Sequence, residues 1–173
     1  ALAVADDGTL WSWGANGSSQ LGQGDTAQRT APTQIGSASN WTYVTCGNTS
    51  AYALNEAGEL WAWGFNSSSQ LGLGDTITRN IPTRVGSDSD WQTIVAGNSH
   101  VLAIKRDGSL WAWGSGSLGQ LGHGDSSNRT TPARVGTQTN WVSASAGFSN
   151  SGGRTADGTL WAWGANTYGQ LAN

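Results

Sequence analysis

Apolar positions along the chain come in short runs of four to six residues, broken by polar, glycine-rich segments, and no stretch carries the 3.6-residue period of a helix. The runs repeat. Leu-Trp-x-Trp-Gly stands at 10–14, 60–64, 110–114 and 160–164, with 50 residues between copies. Gln-Leu follows at 20–21, 70–71, 120–121 and 170–171, and Gly-Asp at 24–25, 74–75 and 124–125. Arg29, Arg79 and Arg129 share one phase, Pro32, Pro82 and Pro132 another, and Trp41, Trp91 and Trp141 a third. Every Pro and every Trp obeys the period, so the repeat unit is the first fact any fold must satisfy.

Four short strands are predicted in each unit. The first runs from Trp to Gly, as in Trp91 to Gly97. The second is the small apolar stretch Val101 to Lys105. A turn at Asp7-Gly8, Ala57-Gly58, Asp107-Gly108 or Asp157-Gly158 leads into the third strand, Leu-Trp-x-Trp-Gly. Asp-Gly between apolar runs reads as a two-residue hairpin with positive φ at both central positions. The fourth strand is placed over Pro82 to Gly86, at a sheet edge because Pro cannot donate to a ladder. Alternation puts both tryptophans of the third strand on one face, which is expected to pack on the next blade. Four antiparallel strands per unit with a Pro-marked outer strand predict an all-β propeller of about 3.5 blades. The units are a partial blade at 1–40 lacking its first strand, blades at 41–90 and 91–140, and a partial blade at 141–173 lacking its last strand.

These residues resemble a known family. Asp-Gly-x-Leu-Trp-x-Trp-Gly, then Gln-Leu-Gly-x-Gly-Asp, then Arg, Pro and Val, is similar to the regulator of chromosome condensation repeat. The third copy carries it most fully, from Ala96-Gly97-Asn98-Ser99-His100-Val101-Leu102-Ala103-Ile104 through Gly119-Gln120-Leu121-Gly122. The resemblance implies a β-propeller of four-stranded blades, usually closed with seven. It includes an exchange factor for the nuclear GTPase Ran, a plant ultraviolet-B photoreceptor and secreted bacterial inhibitors of β-lactamase, so it does not by itself assign a function. The family histidine stands only at His100; Ser50 and Asn150 take its place elsewhere. The fourth copy reads Ser151-Gly152-Gly153-Arg154 where the second reads Ala51-Tyr52-Ala53-Leu54.

Composition narrows the function classes. The chain has 173 residues, a net charge of -3 and only 11% charged residues, with Lys105 its single lysine. Nucleic-acid binding needs a basic patch that one Lys and seven Arg do not supply. Cys46 alone forms no intrachain disulfide and no cysteine cluster for zinc, and no apolar run is long enough to cross a bilayer. A chain that starts at Ala1 reads as a processed protein or a piece of a longer one. No cofactor or metal site is expected, and no motif for catalysis is present. Each Asp-Arg pair (Asp25 with Arg29, and its copies) is read as a loop brace, and Gln20 and its copies as partners for loop backbone.

The expected function is a non-enzymatic protein–protein interaction scaffold that presents blade loops to a partner. The alternatives are a self-associating surface or filament module and a glycan-binding propeller. Loop phases that vary between copies and carry apolar or aromatic residues give the candidate contacts Phe65, Leu73, Ile77, Leu118, His123 and Tyr168. The lysine-poor, Gly/Ser/Thr/Asn-rich composition resembles bacterial extracellular members, so an extracellular or cell-surface location is expected, with the cytoplasm as alternative. Asn16, Asn40, Asn48, Asn66 and Asn128 lie in Asn-x-Ser/Thr sites.

Overall fold

The computed structural model describes residues 1–171 and contains fourteen strands and no helix among them. They form four antiparallel sheets. The first joins β1 (Leu2–Val4), β2 (Leu10–Gly14) and β3 (Arg29–Gln34). The second joins β4 (Trp41–Cys46), β5 (Ser50–Asn55), β6 (Leu60–Gly64) and β7 (Arg79–Arg84). The third repeats this with β8 (Trp91–Ala96), β9 (His100–Lys105), β10 (Leu110–Gly114) and β11 (Arg129–Arg134). The fourth holds β12 (Trp141–Ala146), β13 (Asn150–Thr155) and β14 (Leu160–Gly164). Strand β8 packs against both β4 and β12, so the first strands of the blades lie innermost and the Pro-bearing strands outermost.

Three expectations need correction. The fourth strand begins at Arg79, not Pro82, and ends at Arg84, although the Val85 amide still donates to the Leu60 carbonyl at 2.8 Å. Proline sits in mid-strand because this strand is an edge, where one amide can face solvent without leaving a gap in a ladder. The Asp-Gly turn is a three-residue loop: Gly8 donates to the Ala5 carbonyl, and of its residues only Gly8, at φ 77°, is left-handed. Asp7 keeps negative φ, and its Oδ1 accepts from the Thr9 amide and hydroxyl, which stabilises the loop without a second left-handed residue. The tryptophan face of the third strand in the second, third and fourth blades packs on the preceding blade, not the next. Periodicity places Trp61 and Trp63 on one face, but which neighbour that face meets depends on the direction in which the chain winds around the axis.

The core is accordingly three slabs between blades. Leu10 and Ile35 of the first blade meet Trp41, Ala51, Ala53 and Trp63 of the second. Tyr52, Leu54, Leu60 and Ala62 then meet Trp91, Val101, Ala103 and Trp113, and Leu102, Ile104, Leu110 and Ala112 meet Trp141 and the half-buried Trp163. A specific hydrogen bond sits in each slab. The indole N–H of Trp63 donates to the Gln20 carbonyl at 3.0 Å, Trp113 to Gln70 at 2.9 Å, and Trp163 to Gln120 at 2.9 Å. The glycine two residues after each Gln admits the indole: a Cβ on Gly22 would lie 2.8 Å from Trp63 Nε1, and Gly72 stands to Trp113 in the same way. The Gln-Leu-Gly motif is thus a socket for the next blade's tryptophan.

Trp113 is fully buried, whereas Trp161 of the terminal blade is 43% exposed. Trp113→Ala is expected to cost about 3–5 kcal/mol and Trp161→Ala under about 1 kcal/mol in urea unfolding. Equal losses would show that the slabs do not carry the stability.

Candidate protein-binding face

Pairing fixes which connections share an end of the molecule. Ser50 pairs with Gly64, so the turn before β5 and the long loop after β6 lie together, and the Phe65 amide donates to the Thr49 carbonyl at 2.9 Å. Ser115 to Ser99 and Ala165 to Ser149 repeat the bond in the next two blades. One end therefore carries all the long loops, around the mouth of an axial cavity of about 340 Å³ bordered by Cys46, Asn48, Asn98 and Phe148.

The loops are braced from within. Asp25 Oδ2 lies 2.7 Å from Arg29, and Asp75–Arg79 and Asp125–Arg129 are paired at 2.6 Å. Each arginine also donates to the carbonyl two residues back, and each Asp Oδ1 accepts the amide two residues on. Asn16 and Asn66, both buried, donate to Asp25 and Asp75 and accept from Leu21 and Leu71. Two of the five Asn-x-Ser/Thr sites therefore have amides already committed to the fold. In the third loop Gly116 replaces this Asn, and Asn128 Oδ1 takes over by accepting the Gly116 amide. Gln20, Gln70 and Gln120 each accept a loop amide, from Ser18, Ser68 and Leu118. Hydrogen bonds from the arginines first, and then from backbone amides, hold Asp25, Asp75 and Asp125 below the usual carboxylate range.

With its ion pairs closed, this end presents apolar groups among uncharged polar ones. Of the six candidate contacts, Phe65, Ile77, Leu118 and Tyr168 are exposed there, Tyr168 almost completely. Leu73 packs against the core between the second and third blades. His123 is half-buried, with Nε2 3.3 Å from the Ala133 carbonyl; Gln23, at the same phase, donates to the Thr33 and Gln34 carbonyls. That phase ties the loop to the outer strand. Phe148, exposed at the axial mouth, was not among the candidates. Its signal was the contrast Asn48, Asn98, Phe148, which lies in the short turn and not in the long loop.

The family histidine serves the fold. His100 Nε2 lies 2.9 Å from Ser151 Oγ, and that hydroxyl donates to the Gln120 carbonyl at 2.7 Å. Nε2 therefore carries the proton and donates to Ser151, and the buried Nδ1 has no partner within the protein. Burial pushes the imidazole down to about 4.

The model of the regulator of chromosome condensation (RCC1) repeat matches residues 7–54, 57–104 and 107–151, and a second model of the repeat matches 91–120 and 141–170. The chain belongs to the RCC1-repeat family. Among solved structures, yeast RCC1 (Prp20) bound to Kap60 superposes with a TM-score of 0.84 at 23% identity, over 95% of this chain and 41% of that one. Prp20p from Saccharomyces cerevisiae, in a study of its binding to Gsp1p and histones, gives 0.83 at 23% over 94% and 42%. Human WBSCR16 gives 0.83 at 22% over 94% and 44%. The chain thus spans less than half the length of these three proteins, and the likeness is one of fold.

His100 is neutral in the folded protein near neutral pH. Its folded-state value is depressed, so its contribution is complete above about 6.5 and is lost as pH falls towards 4, by roughly 3 kcal/mol at most. His100→Ser, which installs the residue of the Ser50 phase, should flatten unfolding free energy between pH 6.5 and 4. An acid loss below the usual carboxylate range should remain in the variant, because the braced aspartates titrate there. An unchanged slope between 6.5 and 4 would assign that window to other groups.

Proposed function

We propose that this RCC1-repeat chain is a non-catalytic protein-binding scaffold whose partner contacts come from the long-loop end. The observation that carries the reading is the combination of rigidly braced loops, no unpaired Asp or Arg within the three braces, and exposed Phe65, Ile77, Leu118 and Tyr168 at that end. Aromatic and aliphatic anchors on pre-ordered loops are the groups that dominate interfaces, because little side-chain and backbone entropy is lost on binding. Family context supports a protein partner: the yeast relative is seen bound to Kap60, and its Gsp1p and histone binding is the subject of another study. With few free charges, the interface forms by desolvation more than by steering, so its affinity depends weakly on salt. The low-lysine composition supports an extracellular setting for this scaffold.

A second reading, association between copies, has its own observation. The terminal blade leaves Leu160 78% exposed, with Trp161 beside it, over a cavity also lined by Gly152 and Arg154. The two readings separate in one experiment. A photo-crosslinking residue is placed at 65 or 168, at 160, and at the outer-strand control 81. Capture of a different protein at 65 and 168, with about tenfold weaker binding in Phe65→Ser/Tyr168→Ser, is the expected result. Capture of the chain itself at 160, with an oligomer by light scattering, would favour self-association. Equal capture at 81 would sink both.

A further inference from the structure

The three junctions between blades offer a comparison within one molecule. Each has a tryptophan pair, from the first and third strands of the later blade. At the middle junction the pair is Trp91 and Trp111, with ring centroids 5.9 Å apart and planes at 80°. Lys105 fills the space they enclose. Its Nζ lies 4.7 Å from the Trp91 ring and 4.6 Å from the Trp111 ring, and 2.7 and 3.0 Å from Asp88 and Asp90. This is a cage for an ammonium ion, and the chain supplies the ion. Burial opposes the charge on Lys105, but the two aspartates outweigh it and the net shift is upward.

At the first junction Trp41 and Trp61 repeat the pair, with centroids 5.8 Å apart and planes at 82°. The residue in the phase of Lys105 is Asn55, too short to reach between the rings. It is held back instead, donating to Glu59 Oε2 at 2.7 Å. A cavity of about 560 Å³ opens there, lined by both tryptophans, Asn55 and Glu59. The hydroxyl that accepts from Trp111 at the middle junction, Ser109, is also replaced, by Glu59. At the third junction Trp141 and Trp161 are tilted at 57° around a cavity of about 260 Å³, and no carboxylate lines it.

We infer that the cavity between the first and second blades is a binding site for a small quaternary-ammonium solute of the choline type. Two indoles at the geometry that holds Lys105 supply attraction for a cation. Glu59 adds negative charge at the wall, partly offset by Arg84 at 3.0 Å. The absence of the other two carboxylates selects the class. Asp88 and Asp90 are replaced by Ala38 and Asn40, so a primary ammonium would lose both carboxylates that hold Lys105 and meet only Glu59, whose oxygens already accept from Arg84 and Asn55. A methylated ammonium has no N–H to satisfy and is bound by ring faces alone.

The test compares choline with its neutral isostere, 3,3-dimethylbutan-1-ol, by calorimetry and by indole N–H shifts in the NMR spectrum of the whole chain. One site is expected, with choline bound about tenfold or more tighter than the isostere. Asn55→Lys with Ala38→Asp and Asn40→Asp supplies the middle junction's lysine and its two counter-ions, and should abolish binding while the circular dichroism stays unchanged. Trp61→Leu removes one wall; it should erase the preference for choline even if the isostere still enters. Lys105→Asn with Asp88→Ala and Asp90→Asn should open the middle junction and add a second site. Equal binding of choline and isostere, or undiminished choline binding in the folded Asn55→Lys triple variant, would overturn the assignment. Retention on phosphatidylcholine vesicles without binding of free choline would overturn its small-solute form.

Discussion

Everything in this molecule depends on how one blade grips the one before it. The grip is a tryptophan whose ring is buried between sheets and whose N–H reaches a backbone carbonyl in the preceding blade's Gln-Leu-Gly loop. A blade alone exposes two apolar faces and cannot bury them; stacking buries one face of each neighbour at every junction. Trp63, Trp113 and Trp163 reach their acceptors in one register only: the carbonyl of Gln20, Gln70 or Gln120 has to stand where the next blade's tryptophan arrives. Two of these carbonyls receive a further donor, Tyr52 at Gln70 and Ser151 at Gln120, inside the apolar slabs.

That constraint reaches the surface through the loops. The segment that offers its carbonyl to the next blade also carries the Asp–Arg brace and the exposed side chains, so the core positions the long-loop end directly. Leu73 shows the division of labour. It lies in the loop, two residues past Leu71, yet it packs into the core, whereas Ile77, four residues on, faces solvent. Rigid backbone with free side chains is what a recognition surface needs, since ordering has already taken place on folding.

Near-identical repeats also make departures informative. Lys105 stands in a phase where the other copies have Ala5, Asn55 and Thr155, and it brings Asp88 and Asp90 with it, so a charged plug and its counter-ions occur together. The fourth blade departs differently. Gly153 replaces the alanine of Ala53 and Ala103 beside the inner tryptophan, and Arg154 stands where Leu54 and Ile104 meet the next slab. Its far face carries Gly152 and Arg154, and Leu160 is left 78% exposed there.

The sequence by itself determined the repeat unit, the all-β class, the third strand, the outer position of the proline strand, and the roles of the Asp–Arg pairs and glutamines. These are local matters: alternation, a missing amide, and partners four or fewer residues apart are set within a few peptide units. Tertiary structure alone decided which blade the tryptophans meet, because a strand's face has no direction until the chain winds around an axis. It turned Leu73 and His123 inward, exposed Phe148, and separated three junctions of like sequence into one filled by Lys105 and two left open. Those outcomes rest on what arrives from fifty residues away, and burial is a property of both partners at once.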